Sequence, residues 1–441
     1  MRFTDKQLRQ LIVPLIVEQL LAVTVGLADS IMVASVGEAA VSGVSLVDNI
    51  MILIINAFAA LATGGAVVSG QYIGQGDEKK SCKAADQMVL FVAVLSLVIM
   101  VCIYLGRNLI LYGVFGQIEP DVFDSAKTYL MIVTASVPFI ALYNGGAAIF
   151  RSMGNSGTPM RISVFMNAIN LAGNAILIYG FGMGTAGAAI PTMLSRVAGA
   201  VIILKMLKNQ SYKVHLSKKM EWHFDKTMIM KILHIGIPNG LENSMFQLGK
   251  ILVLSLVSTF GTASIAANAV ANTVAVFQCL PGMAMGMAIL TVVSQCVGAG
   301  DYKEARFYTR KLLKMIYIAM FAVNAAVFLA LPIILKIYNL SDTTAEMARN
   351  ILIYHGCVAI FIWPLSFSLA NTLRAANDVK FTMVVAIISM WTCRVILSYV
   401  IGKYLGLGVF GIWVAMTIDW LIRATFFVIR YRRGKWELQK I

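Results

Sequence analysis

Long apolar segments recur along the whole chain, and they limit its possible folds more than any other feature. Each segment has roughly 20 mainly apolar residues, enough for a helix to cross ~30 Å of hydrocarbon. Hydrophobic residues make up 59% of the sequence and charged residues only 13%, whereas soluble globular domains carry about 25% charged residues. The sequence therefore predicts an all-α integral membrane protein.

The apolar segments divide into twelve predicted transmembrane helices, six before and six after a polar stretch. They cover residues 11–34, 44–73, 87–106, 124–149, 158–180 and 184–206, and then 230–258, 262–297, 309–338, 346–371, 381–402 and 407–430. The polar stretch, residues 207–229, holds five lysines and two histidines. It is predicted to be an amphipathic cytoplasmic linker along the membrane surface. The predicted lobes are therefore residues 1–206 and 230–441.

The two halves repeat the same sequence landmarks at an offset of 224 residues. Pro14 and Glu18 recur as Pro238 and Glu242, Gly37 as Gly261, the run 71–77 as 295–301, and Gly187 as Gly411. Because each half has six helices, an even number, both halves have the same orientation in the membrane. Parallel repeats of this kind are typical of transporters whose binding site lies where the halves meet. We therefore expect two six-helix lobes around a central cavity.

Basic residues concentrate in alternate loops, which predicts the topology. Lys79, Lys80 and Lys83 follow the second predicted helix, and Lys303, Arg306, Arg310, Lys311 and Lys314 follow the eighth. Cytoplasmic loops carry such an excess of Lys and Arg, so both termini are predicted to be cytoplasmic in a multi-pass protein of the cytoplasmic membrane. The net charge of +15 reflects this pattern. It does not indicate a nucleic-acid surface, because no basic stripe with interleaved aromatic residues is present.

Catalytic motifs are missing from the sequence. It has no nucleophile elbow, zinc-protease motif, P-loop or dinucleotide fingerprint. The six cysteines show no CxxC spacing and the four histidines are far apart, so no disulfide framework, metal knot or cofactor is predicted. A membrane-embedded enzyme would need His or acidic residues clustered at one depth, and no such cluster is visible. The chain is therefore predicted not to be an enzyme, and an ion gradient is its expected energy source.

Polar side chains within the predicted helices of the first half form one candidate site. Asn167, Asn170 and Asn174 are spaced by three and four residues, which places them on one helix face. Asp29 and Thr192 lie in neighbouring predicted helices. One carboxylate with several amide and hydroxyl oxygens suits Na⁺, or a proton carried by Asp29 itself. The alternative is that the asparagines only hold helices together by hydrogen bonds.

The second half carries different polar residues at the corresponding places. Trp391 and Arg394 occupy the repeat positions of two of the three asparagines, and Lys250 occupies that of Gly26. We expect Arg394 to form an ion pair with Asp419 of the next predicted helix. Lys250 has no partner within its own helix. A lysine or arginine that faces the cavity would favour anionic substrates.

Two repeat-related glutamates, Glu18 and Glu242, each follow a proline by four residues. Proline frees a backbone carbonyl and bends a helix. A bent helix beside a carboxylate would suit a gate or a second proton site. The alternative is a polar group near the inner membrane interface that water or a neighbouring arginine satisfies.

Several motifs in all parts of the chain resemble the multidrug and toxic compound extrusion (MATE) family. They are LADSIMVASVG (27–37), GQYIGQGD (70–77) with its twin QCVGAGD (295–301), FRSMGNSGTP (150–159), NLAGNAILIYGFGMGTAGAAIPT (170–192) and LRAANDVKF (373–381). The resemblance places the family's N-lobe ion site on Asp29, Asn170, Asn174 and Thr192. The family commonly has Asp where this chain has Asn174. The site therefore loses electrostatic strength for Na⁺, while a proton site at Asp29 remains.

The resemblance implies a secondary active transporter that exports small organic compounds, amphipathic or cationic, by antiport with H⁺ or Na⁺. It implies alternating access by a monomer, with no cofactor beyond the coupling ion. An alternative in the same superfamily is a flippase for a lipid-linked saccharide or an amphipathic metabolite. Such a flippase needs a basic cavity, which Arg196, Lys250 and Arg394 would supply. Fourteen helices would favour it, and the sequence predicts twelve.

Overall fold

The computed structural model describes residues 1–440, and these residues form helices and connecting turns with no β-strand. The first half contains α1 (Asp5–Ala34), α2 (Glu38–Gln75), α3 (Glu78–Leu105), α4 (Pro120–Thr134), α5 (Val137–Ser152), α6 (Gly157–Asn174) and α7 (Thr185–Leu207). The second contains α8 (Lys226–Ser258), α9 (Thr262–Gly298), α10 (Tyr302–Ile337), α11 (Asp342–Trp363), α12 (Leu369–Ala375), α13 (Val379–Ser389) and α14 (Gly408–Arg432). Wider π-helical turns lie at Leu109–Val114, Ala175–Gly180, Pro364–Ser368, Met390–Ile396 and Ser398–Tyr404.

The all-α membrane architecture is confirmed. Ten helical segments of the described chain are long and apolar enough to cross a membrane. The pair α4 and α5, bent by 49°, forms an eleventh candidate. Helix α8, with 33 residues, corresponds to the remaining predicted span, and its interior Glu242 and Lys250 lower its hydropathy. The bend replaces the single helix predicted over 124–149, because Pro138 has no N–H to bond the carbonyl of Thr134.

The described residues divide into two compact units. The N-terminal unit is Asp5–Gly240, and the C-terminal unit is Met1–Thr4 with Leu241–Ile441. The first residues belong to the C-terminal unit because the backbone N–H of Phe3 donates to the Tyr308 hydroxyl (2.9 Å), which donates to the Phe3 carbonyl (2.8 Å). The lobe boundaries at residues 206 and 230 stay a prediction.

The repeated sequence landmarks correspond to repeated backbone geometry. Gly76 and Gly300 lie just after the last turns of α2 and α9, with φ of +78° and +72°, a left-handed conformation that glycine adopts without steric cost. The following Asp77 and Asp301 cap α3 and α10, since their carboxylates accept from the backbone N–H groups three residues on (3.1 and 2.9 Å). The motif that recurs at an offset of 224 therefore encodes a helix stop followed by a helix start.

Residues 208–225 connect α7 to α8 without a helix, so this part of the predicted linker has no amphipathic helix. It is held against α3. The side-chain amide of Gln87 donates to the His223 carbonyl (2.9 Å), and its oxygen accepts from the Asp225 N–H (2.8 Å). Lys83 forms an ion pair with Asp225. This ammonium and the N–H groups at the start of α8 hold the pKa of Asp225 below its usual value, so the pair is fully charged at neutral pH. Its stabilising effect is lost only when the pH falls through that lowered pKa.

Replacing Gln87 with Ala should loosen this connection. Two partly buried hydrogen bonds to backbone groups are lost, a cost of about 1–3 kcal/mol in total. We expect a lower melting temperature in detergent and faster tryptic cleavage after Lys218 and Lys219. The matched control is Lys79→Ala, a change of an exposed residue of the same helix, which should leave both unchanged. Equal rates of cleavage of the Gln87→Ala variant and the wild type would contradict the role of Gln87 in holding residues 208–225 against α3.

Candidate functional site

The four residues predicted to couple ions lie together in the N-terminal unit. Asp29 lies near the end of α1, Asn170 and Asn174 lie in the last turns of α6, and Thr192 lies in α7. Helices α6 and α7 approach closely because Gly173 has no side chain. A Cβ added there would lie 2.7 Å from the Cβ of Pro191. This close approach brings Thr192 within reach of α6.

Hydrogen bonds join the four side chains into one chain. The Asn174 amide donates to the Asp29 carboxylate and to Asn170 Oδ1 (3.2 Å). The Asn170 amide donates to Thr192 Oγ1 (3.2 Å), and this hydroxyl donates to the Ala188 carbonyl (3.0 Å). These hydrogen bonds therefore connect the side chain of Asp29 to the contact between α6 and α7.

One oxygen in this hydrogen-bonded set of four side chains accepts no hydrogen bond from residues 1–440. Asn174 is fully buried, and its Oδ1 accepts no hydrogen bond in the described part of the chain. Such an unsatisfied buried group costs about 1–3 kcal/mol. Asn174 Oδ1 lies in one set of oxygen atoms with those of Asp29 and Thr192. Such a set suits a hard cation, or a protonated group that needs an acceptor. The residues present therefore fit a coupling ion.

Asn167, predicted to share this face, is half-buried one turn before Asn170. None of the hydrogen bonds that join the four residues involves it. The structure therefore places Asn167 beside the set, outside its hydrogen-bond chain.

A second carboxylate, Asp48 of α2, lies near this chain, and sequence reasoning missed it. Asp48 is hydrogen-bonded to Tyr129 of α4 and interacts electrostatically with Asp29. The helix predicted to begin at residue 44 placed Asp48 in its first turn, near the interface. The observed helix begins at Glu38, which places Asp48 almost three turns inside. A charged residue at that depth is a candidate functional group.

Arg196 of α7 supplies the positive charge of this region. It lies four residues after Thr192, on the same helix face. Its guanidinium donates to Ser136 Oγ (2.8 Å) and interacts with both Asp29 and Asp48. Two carboxylates and one guanidinium leave one formal negative charge, which a single proton or monovalent cation balances. The sequence suggested Arg196 as part of a basic cavity, whereas its electrostatic interaction with both carboxylates argues against that role.

The two repeat-related glutamates are each paired with an arginine. Glu18 accepts from Arg151 and Glu242 accepts from Arg374, both at 2.7 Å. In both pairs the second carboxylate oxygen and the arginine Nε are buried and have no hydrogen-bond partner among residues 1–440. The sequence left two interpretations of these glutamates, a gate or proton site and a carboxylate paired with a neighbouring arginine. The structure supports the second.

The expected Arg394–Asp419 ion pair is wrong. Asp419 instead pairs with Arg423 of its own helix at 3.0 Å, because a spacing of four residues places these two side chains on one face. Arg394 lies over the ring of Phe246, 4.9 Å from its centre. Trp391 is half-buried, and its indole N–H is buried without an acceptor among residues 1–440.

Comparisons with known proteins agree with the repeat. A family model described as MatE matches residues 14–176 and again residues 238–400. The two matches are displaced by the same 224 residues as the sequence landmarks. The repeated unit is therefore the unit that the family model describes.

Curated relatives match along nearly the whole chain. The uncharacterized transporter YisQ of Bacillus subtilis is 28% identical over 432 residues, which are 96% of this chain and 93% of the relative. A probable multidrug resistance protein, NorM of Thermotoga maritima, is 25% identical, and the match covers 99% of this chain and 94% of the relative.

Solved structures show the same fold. A multidrug resistance MATE family transporter, solved in an outward-facing conformation, superposes with a TM-score of 0.91 at 20% sequence identity. The match covers 98% of this chain and 97% of the other. This likeness extends to the whole helical architecture described above.

Proposed function

Since this chain belongs to the MatE family of membrane transporters, we propose that it exports small organic compounds, amphipathic ones above all, in exchange for H⁺. It is a transporter and not an enzyme. In this proposal the chain acts as a monomer in the cytoplasmic membrane, with both termini in the cytoplasm, and it works by alternating access. The basic residues in alternate loops support this orientation.

The observation that carries the proposal is the partly buried set of hydrogen bonds from Asp29 to Thr192, in which Asn174 Oδ1 accepts no hydrogen bond from residues 1–440. An ionised Asp29 accepts from the Asn174 amide. A protonated Asp29 has a hydroxyl to donate, and rotation of the Asn174 amide would present its free oxygen as the acceptor. That rotation would remove the amide donor from Asn170 and so change the contact between α6 and α7.

Proton coupling is favoured over Na⁺ coupling by the charges of the site. Asn174 supplies no second carboxylate at its position, and the guanidinium of Arg196 lies near Asp29. A sodium ion would be repelled by Arg196 and would have one formal negative charge to balance its own. A proton on Asp29 needs only the carboxylate. The Na⁺ alternative stays open to the same experiment.

The experiment uses purified protein in proteoliposomes with a panel of fluorescent dyes. A proton gradient and a Na⁺ gradient are imposed separately, each without the other. We expect dye movement to follow the proton gradient. In the Asn174→Asp variant, which has a second carboxylate at this site, we expect added Na⁺ dependence. Dye movement that follows neither gradient would overturn the proposal.

A lipid-linked saccharide or amphipathic metabolite is the second candidate substrate class, favoured by Lys250 and Arg394, which form no ion pair within residues 1–440. Arg196 does not support it, because its guanidinium interacts electrostatically with Asp29 and Asp48. Translocation of a fluorescent lipid phosphate between leaflets of the same proteoliposomes, without dye efflux, would favour this function.

A further inference from the structure

Three cationic side chains surround one phenyl ring in the C-terminal unit. The ring is that of Phe246 in α8. Arg394 lies 4.9 Å from the ring centre, and Lys250 and Arg423 each lie 5.8 Å from it. These cations come from three different elements: α8, the π-helical turn Met390–Ile396, and α14. The tertiary fold of this unit therefore assembles the cluster.

The negative charge near this cluster does not match its positive charge. Asp419 is the acid beside it, and Asp419 is fully buried, accepts from Arg423 at 3.0 Å and also accepts from the Ser389 hydroxyl. Lys250 and Arg394 form no ion pair in the part of the chain that the structure describes. An unpaired cation at membrane depth costs about 3 kcal/mol or more, so two of them call for a function.

The unpaired cations differ from Arg423 in accessibility. Arg423 is 2% exposed, whereas Arg394 is half-buried and Lys250 is exposed. The paired arginine is therefore enclosed within the unit, and the side chains of Arg394 and Lys250 are more accessible than that of Arg423.

Further aromatic rings lie next to the three cations, on the side of Arg423. Arg423 also lies 5.2 Å from the ring centre of Phe367, which stacks on Trp363 at 4.9 Å. Trp420 contacts Phe367 edge to face at 6.1 Å. Phe246 and Phe367 are half-buried, whereas Trp363 and Trp420 are enclosed within the unit. The two phenyl rings therefore offer aromatic contact area beside Lys250 and Arg394. A ligand complementary to this surface has an anionic group attached to a flat apolar body.

We propose that Lys250 and Arg394 bind the carboxylate of an amphipathic aromatic compound, with the ligand's ring against Phe246. The proposal rests on the proposed transport function and names a substrate class for it. It differs from the cationic substrates that the resemblance implies, because a cationic ligand would be repelled by both side chains. The guanidinium of Arg394 would supply paired N–H donors, and the Lys250 ammonium a second charge.

The test is a binding experiment with the purified full chain and no gradient, in which isothermal titration calorimetry measures the affinity. Two probes share one apolar body and differ in charge: 2-naphthoate and (2-naphthyl)methylammonium. We expect naphthoate to bind and the ammonium compound not to compete with it. Lys250→Gln and Arg394→Gln should each weaken naphthoate binding about tenfold or more, and Phe246→Leu should weaken it less.

Lys336→Gln is the matched control, because Lys336 is an exposed lysine of the same unit and its loss should not change binding. Each variant is first checked by its melting temperature and its elution as a single species. Wild-type affinity in both charge variants, or tighter binding of the ammonium probe, would overturn the proposal. Binding of phosphatidic acid vesicles without any naphthoate binding would also overturn it, in favour of a lipid phosphate.

The two proposals fail separately. If naphthoate binds through Lys250 and Arg394 but no dye follows either gradient, the transport proposal fails and the anion site stands. If gradient-driven dye movement is intact and naphthoate does not bind, the anion site fails alone.

Discussion

Asp29→Asn is expected to abolish gradient-driven efflux while leaving expression, melting temperature and helical content close to those of the wild type. The amide has nearly the shape of the carboxylate but neither binds a proton at physiological pH nor attracts a cation. It can still meet Asn174 by a hydrogen bond, so the packing of α1 against α6 should persist. The loss should be at least about a hundredfold in rate, because the proposed coupling step needs a titratable group at this position.

The measurement is dye efflux from proteoliposomes under an imposed proton gradient. Asn167→Ala is the matched control. Asn167 belongs to α6 and lies one turn from Asn170, yet it takes no part in the hydrogen bonds that join the four residues. This control should keep at least half of the wild-type rate. Wild-type efflux by the Asp29→Asn variant would exclude Asp29 as the coupling group.

Asp48 refines this expectation. If the formal charge of −1 left by Asp29, Asp48 and Arg196 sets the affinity for the coupling ion, neutralising Asp48 should also weaken coupling. Neutralising Arg196 should strengthen cation binding instead. The opposite signs of these two effects would distinguish an electrostatic role from a general loss of packing.

The sequence predicted the repeated frame well because that frame depends on local signals. A left-handed glycine followed by a capping aspartate ends one helix and starts the next wherever it occurs, so Gly76-Asp77 and Gly300-Asp301 could be interpreted without any tertiary contact. The spacing of Asn170 and Asn174 likewise fixes their common helix face.

What the sequence could not supply was the choice among partners. Arg394 and Arg423 were both available to Asp419, and helix geometry selected the residue four positions away. The role of Asp48 depended on where α2 begins, and the start of an apolar helix is weakly marked in sequence. Glu242 and Arg374 are 132 residues apart, and no local pattern connects them.

That long-range pair leads to the second large effect, in which Arg374→Ala should strongly destabilise the protein. Both partners are largely removed from solvent: the side chain of Arg374 is 13% exposed and that of Glu242 is 10% exposed. Removing the guanidinium leaves a buried carboxylate without its partner, which typically costs about 3–5 kcal/mol. Arg151→Ala should have a similar effect through Glu18, since the repeated pair has the same 2.7 Å distance.

A double variant without either charge separates the buried charge from the lost contact. Glu242→Gln combined with Arg374→Gln removes both charges and should be less destabilising than Arg374→Ala alone, because no uncompensated buried charge remains. Lys80→Ala is the control, because it breaks an ion pair whose lysine is 59% exposed and should change stability by less than about 1 kcal/mol. Thermal unfolding in detergent measures the wild type, Arg374→Ala, the double variant and Lys80→Ala.

If Arg374→Ala has the same melting temperature as the wild type, the pair is not a structural element. A change in transport rate at unchanged stability would then assign Glu242 to gating. If both charges matter only as a pair, the double variant should also retain more transport than the single one, since the helix α8 that carries Glu242 keeps its place against α12.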